Sequence, residues 1–252
     1  MVRPLLSPSR RRFLGGLAAL AAGGATAQVA LSPALPALSS ELIRTGLYQI
    51  SGGGGHSLLR FSTNGLILVG SKLPGQQGPL MAQVRRISKI SDLPVRVVLA
   101  PDHQAMHVGN HARLASRGAV RIGQADIVRQ IAADPTAAAT DRPVPPWISF
   151  EREHALQLGG VEVGLLNFGG GRTRGDTVVH FADLRVVAVG ELYTSGRPEP
   201  DTEAGGSLAG WREALEQVLA LDFDIVVPAT GPRVGRAELQ ALAGRLDDLL
   251  AR

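Results

Sequence analysis

The residues best suited to chemistry lie in one short segment, VVLAPDHQAMHVGN, at positions 97–110. An apolar run ends there in a turn that carries Asp102, His103 and His107. Carboxylate and imidazole groups are zinc ligands in proteins, and they also serve as general acids and bases. The segment therefore predicts either a metal site or a site that has lost its metal.

The histidines of this segment fit no simple motif. HQAMH has the spacing of His-Glu-x-x-His, but Gln104 stands where that motif needs a carboxylate base, which argues against a metalloprotease. His107 and His111 are four residues apart on a predicted helix, where we expect an exposed pair rather than two ligands. The remaining histidines lie in strand patterns and are expected to be partly buried structural residues: His56, His154 and His180.

Two glycine-rich segments and one acid complete the set of candidates. GGGG and GGGRTRG lack the Lys-Ser/Thr of a phosphate-binding loop, so we interpret them as turns. Asp176 follows the second segment and could be a nucleophile or base, but a carboxylate that caps the loop backbone is the simpler interpretation.

The charge of the chain is concentrated at its N-terminus. The sequence has 26 basic and 22 acidic residues, and four arginines precede the first acid, Glu41. Without those four, 22 basic residues face 22 acidic ones, so no basic surface for nucleic acid is implied. Zero cysteines exclude disulfides and thiolate ligands.

The first residues have the pattern of an export signal. SRRRFLGG precedes a short Ala/Gly/Leu stretch and a small-residue Ala-Thr-Ala site, and it is similar to the twin-arginine signal. The stretch is too short and too weakly apolar for a membrane span. We therefore expect a signal peptide at 1–27, a linker at 28–44, one domain at 45–252, and a periplasmic or secreted bacterial protein with no membrane association after cleavage.

Strand and helix patterns alternate through both halves of the domain. The continuous β-branched run at 95–100 predicts a buried parallel strand, and helical spacing predicts helices at 108–117 and 236–251. Such alternation favours a layered α/β domain with two packed sheets and outer helices.

Four further segments, taken in order, resemble the metallo-β-lactamase fold superfamily. GLILVGSKL is similar to the family strand that ends in Asp, where this chain has Gly70. GGGRTRGDTVVHF is similar to the His-Thr-x-Gly-Asp segment, with Arg172 in the His place. VVAVGELY has Glu191 in the family's Asp place, and IVVPATGP has Thr230 in its His place. The resemblance implies a four-layer αββα sandwich.

The first ligand segment of that family, His-x-His-x-Asp-His followed by Gly-Asn, matches VVLAPDHQAMHVGN in two registers. In the register anchored on Gly-Asn, the four ligand places hold Pro101, His103, Ala105 and Met106. In a register shifted by one residue, they hold Asp102, Gln104, Met106 and His107. Both alignments leave most of the family's zinc ligands replaced.

Arg172 argues most directly against a metal in this chain. A guanidinium does not deprotonate and cannot be a ligand, and it would repel a dication placed beside it. Glu191 occupies the place of a metal-bridging carboxylate. We therefore hypothesise that Arg172 and Glu191 form an ion pair where the family holds its metal.

The leading interpretation is an exported protein of this fold with a degenerate metal site, inactive or weakly active, which binds a small molecule or protein partner in the former active-site cleft. No cofactor is expected. The alternative is a metal-dependent hydrolase of an ester, amide or thioester bond, with one zinc ion on His103, His107 and Glu191. A third possibility is a metal-free enzyme with Asp102, His103 or Glu191 as acid or base.

Overall fold

A computed structural model describes residues 37–88, 93–133 and 144–252 of the chain. The predicted signal peptide at 1–27, the twin-arginine motif and the first part of the predicted linker lie outside the described residues. Within the described part, no helix is both long enough and apolar enough to cross a membrane.

The first half of the domain forms a seven-stranded sheet in which spatial order follows chain order. Strands β1 to β4 are antiparallel neighbours, and β4 to β7 run parallel. The strands are β1 (Ser39–Arg44), β2 (Leu47–Ser51), β3 (Ser57–Ser62), β4 (Gly65–Val69), β5 (Val95–Ala100), β6 (Val120–Gln124) and β7 (Ile148–Phe150).

The second half forms a five-stranded sheet with the order β12-β11-β10-β9-β8. Its strands are β8 (Glu153–Leu158), β9 (Val161–Leu166), β10 (Val178–Phe181), β11 (Val186–Gly190) and β12 (Ile225–Pro228). Among the described residues, the α-helices are α1 (Gln77–Ile87), α2 (Ala105–Val108), α3 (His111–Ala115), α4 (Ala125–Ala133), α5 (Leu208–Ala220) and α6 (Arg236–Leu250).

The two sheets pack face to face and helices cover both outer faces. Strand β5 shows how its sequence produces this arrangement, because its side chains alternate between faces. Val97 and Leu99 enter the core between the sheets, whereas Val98 packs outward with Leu80 of α1 and Leu114 of α3. Helices α5 and α6 cover the outer face of the second sheet in the same way. The αββα sandwich expected from the sequence is confirmed.

Two boundaries differ from the sequence-based expectation. The last residues of the predicted linker at 28–44 form edge strand β1, whose mostly exposed SSELIR sequence lacks the apolar alternation of a half-buried strand. The single helix predicted at 108–117 is wrong, because the chain breaks between α2 and α3. The break occurs at Asn110, whose Nδ2 donates to the carbonyl oxygens of Ser71 (2.6 Å) and Leu73 (2.8 Å).

Candidate functional site

The candidate side chains meet where several strands end. Asp102 follows β5, Glu191 follows β11 and Thr230 lies just beyond β12, so the carboxyl ends of three strands from two sheets converge. Arg172 comes from the loop between β9 and β10. Loops at the carboxyl ends of strands are the usual position of binding sites in α/β folds, because side chains from distant parts of the chain meet there.

The ion pair hypothesised between Arg172 and Glu191 is confirmed. An Nη of Arg172 lies 2.7 Å from Oε2 of Glu191, and both side chains are partly buried. The Nε2 group of Gln104 also donates to the same Oε2. Burial raises the pKa of Glu191, the negative charge of Asp102 raises it further, and the charge of Arg172 opposes both effects. One carboxylate oxygen thus contacts two donors from separate segments.

The backbone around Arg172 is held by the loop that precedes α5. The Asp201 N–H donates to the carbonyl oxygen of Arg172 at 2.7 Å, and Gly206 lies against the same oxygen. A Cβ at Gly206 would lie only 1.9 Å from that oxygen, so the close approach requires glycine. The loop and the Arg172 segment are therefore joined through their backbones.

Asp176 caps the same loop, as the sequence-based interpretation expected. Its Oδ2 accepts from the Thr173 N–H at 2.9 Å, and its Oδ1 accepts from the Thr173 hydroxyl at 2.7 Å. Burial raises the pKa of Asp176 to about 7, although both hydrogen bonds act in the opposite direction. The carboxyl group therefore orders the loop that carries Arg172.

Asp102 and His107 form a buried pair close enough to Glu191 for their charges to affect its pKa. Oδ2 of Asp102 lies 2.5 Å from Nδ1 of His107, and each residue is only 1% exposed. The other carboxylate oxygen accepts from the Gln104 N–H at 2.8 Å. Burial alone would lower the pKa of His107, but the charge and hydrogen bond of Asp102 raise it above its ordinary value. The buried carboxylate of Asp102 thus favours the protonated form of His107.

The expectation of an exposed His107–His111 pair is wrong. Both rings are buried, and they belong to α2 and α3 rather than to one helix face. Nδ1 of His111 lies 2.7 Å from the Ser71 hydroxyl, and the ring stacks on Trp147. Burial lowers the pKa of His111 to about 3. His56, His154 and His180 are partly buried, as expected.

Lys72 is a structural feature that sequence reasoning missed. Its side chain is fully buried, and its Nζ donates to the carbonyl oxygens of Ile50 (2.6 Å) and Gly55 (2.7 Å) at the two ends of the GGGG turn. Among the described residues, no carboxylate pairs with it. Burial lowers its pKa to about 7. A charged residue three residues after the end of strand β4, in SKL, was the available signal.

An open cleft of about 220 Å³ lies over the Arg172–Glu191 pair. Its walls are mostly polar, and the loop after β11 supplies two charged residues that the sequence did not single out. The principal lining residues are Arg172, Glu191, Tyr193, Arg197, Glu199 and Thr230. Chemically, this cleft offers hydrogen-bond donors and charges of both signs.

The side chains around the cleft do not fit a zinc site. Oε2 of Glu191 contacts Arg172 and Gln104, and Nδ1 of His107 faces Asp102. The opposite nitrogen of His107 packs so tightly against Gly55 that a Cβ there would lie 2.3 Å away. Across residues 37–88, 93–133 and 144–252, no three His, Cys, Asp or Glu side chains are grouped so as to hold a metal ion.

The other predicted site residues are placed as follows. His103 is half-exposed, while Gln104 contacts Glu191, so the shifted register describes the observed contacts better than the one anchored on Gly-Asn. Met106 is half-buried beside Gly54 of the glycine turn, and Thr230 is exposed at the cleft. The three side chains of the alternative zinc set, His103, His107 and Glu191, are not grouped as metal ligands in the part of the chain described.

Comparison with solved structures identifies the fold. A metallo-β-lactamase from Pontibacter korlensis superposes with a TM-score of 0.71 at 16% identity, covering 84% of this chain and 99% of that one. The metallo-β-lactamase FIM-1 from Pseudomonas aeruginosa, in its mono-zinc form, gives 0.68 at 23% identity, covering 85% and 96%. A metallo-β-lactamase from Hirschia baltica gives 0.67 at 17% identity, covering 84% and 98%.

No family model matches the sequence, and no curated protein matches it significantly. The likeness to these solved structures shows that the chain has the metallo-β-lactamase fold. Since fold alone does not decide function, the site must be interpreted from its own residues.

Proposed function

We propose that this chain is an exported metallo-β-lactamase-fold protein with a degenerate metal site, inactive or only weakly active as a hydrolase, which binds a small molecule in its cleft. The observation that carries the proposal is the ion pair between Arg172 and Glu191 at 2.7 Å. It occupies the place where the resemblance to the metallo-β-lactamase superfamily puts a metal ligand and a bridging carboxylate.

The chemistry of the donors supports this proposal independently of any ion. A zinc hydrolase needs three protein ligands and an open position for water, whose pKa the ion lowers. Arg172 cannot ligate, and Thr230 offers only a neutral hydroxyl in the third family place. Oε2 of Glu191 already contacts Arg172, and Nδ1 of His107 already contacts Asp102. Binding in a polar cleft requires none of these ligands.

Metal content after incubation with zinc tests the proposal. The purified protein is incubated with excess zinc, dialysed and measured by inductively coupled plasma mass spectrometry. We expect zinc far below one ion per chain, and no change in His103→Ala. Stoichiometric zinc that is lost in His103→Ala would instead establish the rearranged hydrolase site. A double substitution, Arg172→His with Thr230→His, is a useful reference because it supplies ligands in two family places.

Export by the twin-arginine route is the second part of the proposal. Its support is the SRRRFLGG segment with the short apolar stretch and small-residue site that follow. Cell fractionation of the full chain in a bacterial host tests it. Replacement of Arg10 and Arg11 by lysine is expected to leave the protein uncleaved in the cytoplasm, whereas unchanged export would contradict this route.

A further inference from the structure

The guanidinium of Arg172 has donor capacity that the protein itself does not use. A guanidinium has five N–H donors, and Arg172 makes one close ion-pair contact, with Glu191. That contacting nitrogen is buried, yet it makes no aligned hydrogen bond to any described residue. The side chain as a whole is 30% exposed and lines the cleft, so an acceptor that enters the cleft meets its remaining N–H donors. A carboxylate suits the planar guanidinium best, because two oxygens can accept in parallel.

The rim of the cleft adds one charge of each sign. Arg197 and Glu199 are exposed, flank the buried Pro198 and line the same cleft. With Arg172 and Glu191, the cleft carries two guanidinium and two carboxylate groups and is neutral overall. A ligand with only a negative or only a positive charge would leave one of these groups uncompensated. A ligand with one positive and one negative charge leaves the cleft neutral, and its two charges match those of Arg197 and Glu199 at the rim.

The size of the cleft limits the ligand to a small molecule. Its volume of about 220 Å³ lies below the roughly 300 Å³ at which drug-sized sites begin. Tyr193, Thr194 and Thr230 provide hydroxyl groups that can donate or accept within it. A compact polar molecule with several hydrogen-bonding groups therefore fits better than a long or apolar one.

We propose that this cleft binds a free amino acid or a zwitterion of similar size, with its carboxylate on Arg172, assisted by Arg197, and its amino group facing Glu199. The proposal rests on the cleft being a binding site rather than a zinc centre. It goes further by naming the ligand class and the orientation.

Isothermal titration of the purified, chelator-treated protein tests the ligand class. Each common free L-amino acid is titrated at neutral pH, and the best binder is compared with its N-acetyl derivative and its carboxamide. We expect both derivatives to bind at least about tenfold more weakly, since each lacks one of the two charges. Absence of binding by every amino acid up to roughly 10 mM, or equal binding by the derivatives, would overturn the proposal.

Three variants test the orientation. Glu199→Gln, at the exposed rim, should weaken the amino acid about tenfold but leave its N-acetyl derivative unchanged, because only the amino group faces Glu199. Arg172→Gln should weaken both. Glu203→Gln, an exposed substitution in the same loop that does not line the cleft, is the matched control and should bind as the unchanged protein does.

Failure of this proposal can be distinguished from failure of the proposed function. If zinc binds stoichiometrically, the degenerate-site proposal fails, while titration of the chelator-treated protein still decides whether amino acids bind. If zinc does not bind and no amino acid binds, the ligand class alone is wrong. An equal effect of Glu199→Gln on both ligands would reject the orientation even if binding is found.

Discussion

Arg172 and Glu191 meet at 2.7 Å although one belongs to the loop between β9 and β10 and the other to the end of β11. Gln104, which follows β5 in the other sheet, donates to the same Glu191 oxygen. The two contacts therefore connect three segments drawn from two sheets. A bound ion could connect the same segments, and here side chains alone do so.

A double-mutant cycle measures the strength of that connection. Arg172→Met and Glu191→Gln, alone and together, are compared by urea unfolding. Because the side chains are 30% and 18% exposed, water screens part of the attraction, and we expect a coupling free energy of about 1 kcal/mol. Additive single effects would show that the pair contributes no coupling. Arg212→Met with Glu216→Gln, a pair on α5 that is 3.4 Å apart and whose Glu216 side chain is 75% exposed, is the comparison and should couple less.

Asp102→Asn should release His107 from its partner. The pKa of His107 is raised in the folded protein by Asp102, so the pair stabilises the fold most below the ordinary histidine pKa of 6.5 and loses that contribution as pH rises through the folded value. We expect the variant to lose about 3 kcal/mol at pH 6 and less at pH 9. Two-dimensional NMR of the His107 ring should show a lower pKa. An unchanged ring titration would contradict the assigned pairing.

Lys72→Met should change the dependence of stability on alkaline pH. The pKa of Lys72 is lowered by burial to about 7 from an ordinary 10.5, so between these values the unfolded chain binds a proton that the folded chain lacks. The unchanged protein should therefore gain stability as pH rises across that window, and the variant should not. Unfolding is measured at intervals from pH 6 to about pH 10. Lys72→Gln, which keeps a donor but does not titrate, should also remove the slope, and a slope retained in both variants would contradict the assignment.

Asp176 should affect the pH dependence of stability in the opposite direction to Lys72, and at lower pH, so Asp176→Asn is the variant that tests it. Burial raises the pKa of Asp176 to about 7 from an ordinary 3.8, so the folded chain holds an extra proton between these values. The unchanged protein should lose stability as pH rises from about 4 to about 7. The stability of Asp176→Asn should not show this fall, because its side chain does not titrate. The exposed Asp248→Asn controls for a change in net charge. An identical pH profile for Asp176→Asn and the unchanged protein would show that Asp176 ionises normally.

The fold could be predicted from local patterns, whereas much of the site could not. Strand β5 lies at the predicted positions because a run of β-branched residues is a local signal. The burial of His107 and His111 depends on Ser71 and Gly55, which are distant in sequence, so helical spacing alone suggested exposure. Gln104 likewise shows its role only through its contact with Glu191. The ion pair could be predicted because Arg172 and Glu191 have opposite charges and stand at two places that both contact the metal in the superfamily that the sequence resembles.

The close approach of Gly206 to the carbonyl oxygen of Arg172 has a consequence for binding kinetics. Because the loop before α5 is joined by its backbone to the Arg172 segment, the two should move as one body, and the entrance keeps its shape before a ligand arrives. Association should then be a single step limited by diffusion and orientation rather than by rearrangement. Differences in affinity among ligands should lie mainly in how long each remains bound.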